Sequence, residues 1–191
     1  SGALLTLNSD GTFAYDPNGS FESTRVGATD SDTFTYTISD GNGGTDQATV
    51  TVTIDGVNDN PLALNVFDDA DEDGPPIMGD ALINSSDVDD LTTLTVSEVA
   101  GSALSVGLPV ARPSGATFTI ESDGTFTYDV GSAFQHLAQN ATAQDTIGYT
   151  VSDGDGGTDP AILHVTVTGV NDAPTALNDD YTVGEDVDIN S

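Results

Sequence analysis

Acidic side chains dominate the chemistry available to this chain. Its 191 residues carry 32 Asp and Glu against two Arg, Arg25 and Arg112, and no Lys, for a formal net charge of −30. Many of these acids recur beside amides and glycines: Asn58-Asp59-Asn60 and Asn171-Asp172, Glu72-Asp73, Asp87-Val88-Asp89, and the glycine-rich turns at Asp40 and Asp153. Such crowding must be relieved by something bound, and hard divalent cations are the natural candidate. Ca²⁺ takes six to eight oxygens at about 2.3–2.6 Å, more than one short loop easily supplies, so donors must converge from several segments. Asp87 and Asp89, two residues apart, would point the same way in an extended segment. Solvation of a halophilic surface is the plainer alternative; the recurrence of Asp at loop positions counts against it.

The same composition excludes other chemistry. Nothing here could neutralise phosphates, so DNA, RNA and anionic membrane surfaces are poor partners. Without Cys there are no disulfides, thiol nucleophiles or Zn-thiolate sites. Without Lys there is no Schiff base, P-loop or Lys-Asn crosslink. No nucleophile elbow or His-Glu-x-x-His motif is present, and carboxylate pairs are too numerous to be diagnostic, so an enzyme is not expected. No apolar run reaches the ~18 residues of a membrane span, and no basic segment opens the chain, so any secretion signal would lie outside it.

The elements that would position these acids follow from an internal repeat. Ser9-Asp10-Gly11-Thr12-Phe13 returns 113 positions later as Ser122-Asp123-Gly124-Thr125-Phe126, and Tyr36-Thr37-Ile38-Ser39-Asp40-Gly41 returns as Tyr149-Thr150-Val151-Ser152-Asp153-Gly154. Gly56-Val57-Asn58-Asp59 and Glu72-Asp73 keep the same offset. Polar and apolar residues alternate over 33–38, 47–54, 117–120, 146–151 and 162–167, the pattern of half-buried strands. Asp10-Gly11 and Asp123-Gly124 read as hairpin turns rather than ligands. Phe134, Leu137 and Ala138 have helical spacing within 132–139 and predict about two helical turns. The fold expected is all-β: tandem Ig-like β-sandwich repeats arranged end to end. Residues 1–59 would be the C-terminal part of one sandwich, 60–172 a complete one, and 173–191 the first strand of a third. The first sandwich would then be completed by chain beyond this segment or by a neighbouring molecule.

The strand Val50-Thr51-Val52-Thr53-Ile54 followed by Val57-Asn58-Asp59-Asn60-Pro61 resembles the inter-domain linker of cadherins and of bacterial cadherin-like repeats, the VCBS-type modules of large RTX adhesins. Ser152-Asp153-Gly154-Asp155-Gly156-Gly157-Thr158, Glu72-Asp73-Gly74, Asp87-Val88-Asp89 and Phe134-Gln135-His136-Leu137 are similar, in order, to further elements of that family. The resemblance implies Ca²⁺ between successive repeats. At the first junction it implies Asn58, Asp59 and Asn60 from the linker, with Asp87, Asp89 and Asp153 from the following repeat. Glu72 would serve the other end beside Asn171 and Asp172, and Asp40 would take the role of Asp153 in the first repeat. Asp40 and Asp153 could equally be turn-formers. Two departures weaken the match: Gly56 and Gly169 stand where animal cadherins have Asp, and Ala173 replaces Asn60.

The function this implies is a calcium-stiffened extender in a large secreted, cell-surface adhesin, supporting adhesion or biofilm formation, with adjacent repeats as its partners. A self-assembling extracellular filament is the alternative, in which residues 173–191 of one chain complete the first sandwich of the next. A carbohydrate-binding module is weaker, because there is no Trp and Phe13, Tyr15, Phe34, Tyr36, Phe126, Tyr128 and Tyr149 alternate within strands as core residues do. His136 and His164 do not recur between repeats and read as surface or half-buried side chains.

Overall fold

The structure, a computed structural model, describes residues 2–180, 182 and 185. The chain forms twelve strands: β1 (Leu4–Leu7), β2 (Phe13–Asp16), β3 (Thr29–Ser39), β4 (Thr45–Asp55), β5 (Val66–Asp71), β6 (Ile77–Asp80), β7 (Thr95–Val99), β8 (Val110–Ala111), β9 (Thr117–Ile120), β10 (Thr125–Asp129), β11 (Thr142–Ser152) and β12 (Thr158–Thr168). Each alternating run read from the sequence lies within a strand, and the long hairpins extend a few residues beyond the pattern.

The second repeat is a sandwich of two four-stranded sheets, ordered β6-β10-β9-β8 and β5-β12-β11-β7. β5 runs parallel to β12, with Val66 opposite Leu163, while the other pairings are antiparallel. Period-2 alternation turns one face of each sheet inward. β12 buries Ala161, Leu163, Val165 and Val167, and β10 buries Phe126 and Tyr128. The Phe118 and Tyr128 rings lie 4.4 Å apart at the centre of the core. Each such side chain contributes on the order of 1.5–3 kcal/mol through burial.

The first repeat reproduces half of this arrangement. β3 and β4 pair from Thr29↔Asp55 to Ser39↔Thr45, and β11 and β12 pair from Thr142↔Thr168 to Ser152↔Thr158, the same register 113 positions on. β1 and β2 form the counterpart of β9 and β10. Among the described residues nothing here corresponds to β5 through β8. Phe34, Tyr36 and Val50 are only half-buried, and they line an open cleft of about 840 Å³ with Leu7, Phe13 and Ile38. Phe13, expected in a core, is therefore 48% exposed.

Other expectations are corrected as well. Residues 132–139 form turns rather than a helix, because Gly131 and Phe134 adopt φ of +57° and +66°, a left-handed backbone that α-helix cannot continue. The described helical element is instead a single 3₁₀ turn, Ala103–Ser105. Residues 87–89 bend rather than extend. Residues 171–180 carry no strand, and most of the remainder of the strand expected within 173–191 lies outside the described residues.

Candidate metal centre at the repeat junction

β4 ends at Asp55 and the linker begins at Gly56, whose N–H donates to Ala28 O at 2.9 Å. A Cβ here would collide with the carbonyls of Thr24 and Arg25, and one at Gly169 with that of Ala138. This close approach gives the departure from the animal linker a steric cause, since no Asp fits at either position. Beyond it, Pro61 is buried, Leu62 bridges to Ser86, and Ala63 N–H donates to Asp159 Oδ2 at 2.8 Å. The linker is thus stitched to the second repeat, across which residues 58–60 lie.

Asp153 is the anchor of that surface. Its Oδ1 accepts the N–H groups of Asp155, Gly156 and Gly157 at 2.8, 3.0 and 3.0 Å, folding the β11–β12 turn around the carboxylate. Its Oδ2 accepts from Asn58 Nδ2 at 2.8 Å, which ties the linker to the turn. Burial alone would raise the pKa of Asp153. The hydrogen bonds from Asn58 and from the turn amides outweigh it and hold the carboxyl below its ordinary value. A Cβ at Gly157 would strike Asp153 Oδ2 and come within 2.9 Å of Asn60 Oδ1 and 3.0 Å of Asn58 Nδ2. All three polar groups converge over that glycine.

The other half of the centre comes from the bend before β7. Asp59 N–H donates to Asp89 Oδ2 at 2.9 Å, and Asp89 N–H donates to Asp87 Oδ1 at 2.8 Å. Asp87 and Asp89 therefore cooperate, though through a bend in which one carboxylate caps the next amide. The remaining oxygens, Asp87 Oδ2 and Asp89 Oδ1, are buried and without a hydrogen-bond partner. A buried, unpaired carboxylate oxygen is costly and calls for an explanation. Linker amides, carboxylates and carbonyls together form an all-oxygen donor set of the kind a hard cation takes. This set fits Ca²⁺, although among the described residues no three acidic or His side chains stand together as a metal cluster by themselves.

Glu72, at the opposite end of the second repeat, has the same signature. It is 1% exposed, its Oε1 accepts from Val170 N–H at 2.7 Å, and its Oε2 is buried without a partner. It reaches the residue before Asn171, but Asn171 and Asp172 are themselves exposed, joined only by Asn171 Nδ2 to Asp172 O at 3.3 Å. Asp40 holds its own turn as Asp153 does, through Asn42 and Gly44 N–H at 2.7 and 2.9 Å, but it is exposed and no linker crosses it.

Several contributors were not visible as motifs. Asp90 N–H donates to Ser23 O at 2.9 Å, a direct bond between the repeats beside the Asp87-Asp89 bend. Buried Asp145 accepts from Ser114 Oγ at 2.6 Å and from Tyr128 OH at 3.4 Å, with Arg112 Nε 3.6 Å away. Tyr15 OH likewise donates to Asp32 at 3.0 Å. The equal Tyr-to-Asp spacing in both copies was the available signal. Asp10 and Asp123 are turn residues as expected. Each carboxylate accepts the hydroxyl and amide of the Thr two positions on, which lowers its pKa.

The model of the bacterial cadherin-like domain family matches residues 1–56 and 58–169. The calcium-binding lectin RapA2 of Rhizobium johnstonii is 29% identical, over 84% of this chain and 73% of its own. Among solved structures, cadherin domains 1–4 of protocadherin gamma B7 align with a TM-score of 0.47 at 18% identity, over 89% of this chain and 39% of theirs. Domains 1–3 of mouse protocadherin-24 align at 0.44 and 20% identity, over 87% of this chain and 53% of theirs. The chain thus spans about half, or less, of the cadherin chains it matches.

Proposed function

This chain belongs to the bacterial cadherin-like domain family, and on that premise we propose that it is an adhesion module stiffened by calcium, a spacer within a large secreted protein of the cell surface. The observation that carries the reading is the pair of buried, unpaired oxygens on Asp87 and Asp89, beside a linker already pinned to Asp153. Asn58, Asp59, Asn60, Asp87, Asp89 and Asp153 would hold the ion at the first junction; Glu72, with Asn171 and Asp172, would serve the second. Ca²⁺ held by these residues would supply the positive charge that the crowded carboxylates of linker and following repeat lack. The chain's own part is to preorganise: Asn58 and the turn amides orient Asp153, and Asp59 N–H orients Asp89.

The description of RapA2 as calcium-binding supports the ion. The spacer role, the RTX type and a contribution to biofilms extend the proposal by family resemblance. Thermal melts test its core. Ca²⁺ at about one hundred times its Kd adds about 2.7 kcal/mol, and a domain of this size gains several degrees for each kcal/mol. Superimposable melts in EGTA and in millimolar CaCl₂ would sink the reading.

A second reading is favoured by the open cleft between β1–β2 and β3–β4, whose apolar lining and unpaired strand edges could accept strands. Residues 173–191 of an identical chain would complete it, which makes the protein the subunit of a self-assembling extracellular filament. Small-angle scattering at rising concentration separates the two, since only a filament lengthens.

A further inference from the structure

The two repeats differ most informatively on the outer face of their long hairpins. In the first repeat this face is a threonine ladder, with Thr33, Thr35 and Thr37 opposite Thr51, Thr49 and Gln47. In the second, the same positions hold Thr146, Gly148 and Thr150 opposite His164, Ile162 and Pro160. β5 then adds Phe67 directly opposite His164, with the two rings stacked 4.7 Å apart and 8° from parallel.

None of these changes is explained by the scaffold. Phe67 is 71% exposed, so its ring contributes little to the core. Gly148 does not adopt positive φ, and a Cβ there would meet nothing nearer than Ala161 O at 4.0 Å. Neither backbone nor packing requires glycine at a position where Thr35 serves the other repeat. A glycine within a strand weakens it, and it commonly marks where another molecule approaches the backbone closely.

The consequence is a shallow hollow of about 390 Å³ over Gly148, bordered by Asn65, Gly101, Thr150, Pro160 and Ile162. Asn65 Oδ1 accepts Ile162 N–H at 2.9 Å, which leaves its amide NH₂ available as a donor. The stacked rings adjoin the hollow, since His164 lies two residues from Ile162, and Phe67 two from Asn65, on the same face. An open floor with a few fixed polar groups, beside an exposed aromatic pair one row along the strands, offers the elements of a small-ligand site.

We propose that this face binds a neutral saccharide. A pyranose presents a face of C–H groups that packs on an aromatic ring, and hydroxyls that suit Thr150 Oγ1 and the Asn65 amide. Charge selects against an anionic glycan: the chain carries −30 overall, and Asp69 and Glu98 lie on the strands flanking the hollow. The site is separate from the calcium junction and would persist if that junction bound nothing.

The test is a set of ¹H–¹⁵N NMR titrations of the whole chain in EGTA and in CaCl₂, with cellotetraose, mannotetraose and dextran as probes. At least one probe should shift the amides of residues 65–67, 147–150 and 162–164 while leaving those of Thr35 and Thr49 unmoved. Phe67→Ala should weaken that binding at least tenfold. Gly148→Thr, which installs the residue the first repeat uses, should do the same without disturbing the remaining spectrum. Three results would overturn the proposal: silence with all three probes, shifts that survive both substitutions, or a concentration-dependent dimer abolished by Phe67→Ala, which would mean that a second copy covers the ring.

Discussion

Asp87→Asn provides a test in which the sign of the effect carries the answer. Asp87 Oδ1 accepts Asp89 N–H at 2.8 Å, while Oδ2 is buried with no partner. Asn keeps an acceptor for the amide and the same shape, and it removes a formal charge from the most crowded part of the junction. Leaving a buried polar group unsatisfied costs about 1–3 kcal/mol, more if charged. In EGTA the variant should therefore be as stable as the parent, or more stable by about 1–2 kcal/mol. In CaCl₂ it lacks one carboxylate ligand and should forfeit much of the ~2.7 kcal/mol that a hundredfold excess over Kd provides. Urea denaturation followed by tyrosine emission reads both, since the chain has five Tyr and no Trp. A loss of equal size in both buffers would mean that Asp87 has only a structural role, and the metal assignment would fail.

Three further outcomes follow from burial. In EGTA, Asp153→Ala should cost about 2–4 kcal/mol because it strips three turn amides and Asn58 of their acceptor, whereas Asp40→Ala, in the exposed copy of the turn, should stay within about 0.5 kcal/mol; equal costs in denaturant melts would contradict the junction geometry. Phe118→Ala should cost about 3–5 kcal/mol by the same measurement, and Phe13→Ala much less, because one ring is fully buried and the other opens onto the cleft. Burial, with Asp80 adding to it, raises the Tyr149 phenol from 10.0 to about 12, so its contribution is complete below pH 10 and is lost as pH rises through about 12. Tyr149→Phe should flatten that alkaline loss, read as denaturation midpoint against pH, while removing the 2.7 Å bond to Ala81 O at a cost of about 1 kcal/mol; an unchanged alkaline profile would assign the loss to another group.

Much of the scaffold was legible because period-2 alternation and the 113-residue register are local properties, and each survives in a strand pair that can be named in advance. The helix expected at 132–139 failed for the opposite reason. Helical spacing of Phe134, Leu137 and Ala138 describes which residues share a face, and carries no information about the left-handed backbone that Gly131 and Phe134 adopt. The sequence named Asn58, Asp59, Asn60, Asp87, Asp89 and Asp153 through family resemblance alone; in the fold Asn58 and Asn60 meet Asp153, and Asp59 meets Asp89, which bonds Asp87. It could not indicate that Asp87 and Asp89 communicate through a bend, nor that Gly157 is the floor under Asn58, Asn60 and Asp153. The first is a local bend with no periodic signature, and the second depends on segments up to 99 positions apart. The outer-face hollow was missed for a related reason, since a single glycine and a single Phe form no pattern until β5 is placed beside β12.

The contrast between Asp40 and Asp153 bears on what a −30 charge is for. Their turns share sequence, and each carboxylate collects the amides of its own loop, so the turn by itself yields nothing beyond a folded hairpin. Only where residues 58–60 cross the second copy does the carboxylate become buried and gain a partner from the linker, while unpaired oxygens gather on the neighbouring bend. The donor set proposed for Ca²⁺ therefore depends on the linker crossing the second repeat, and the turn alone does not supply it. Under the proposed function, acidity that would merely destabilise one isolated sandwich through self-repulsion would, with a cation at the joint, hold two sandwiches in a fixed relation. The linker register matters to this coupling as much as the acids do. Moving Asn58 by one residue would turn its side chain away from Asp153, leaving the charge intact and the coupling lost.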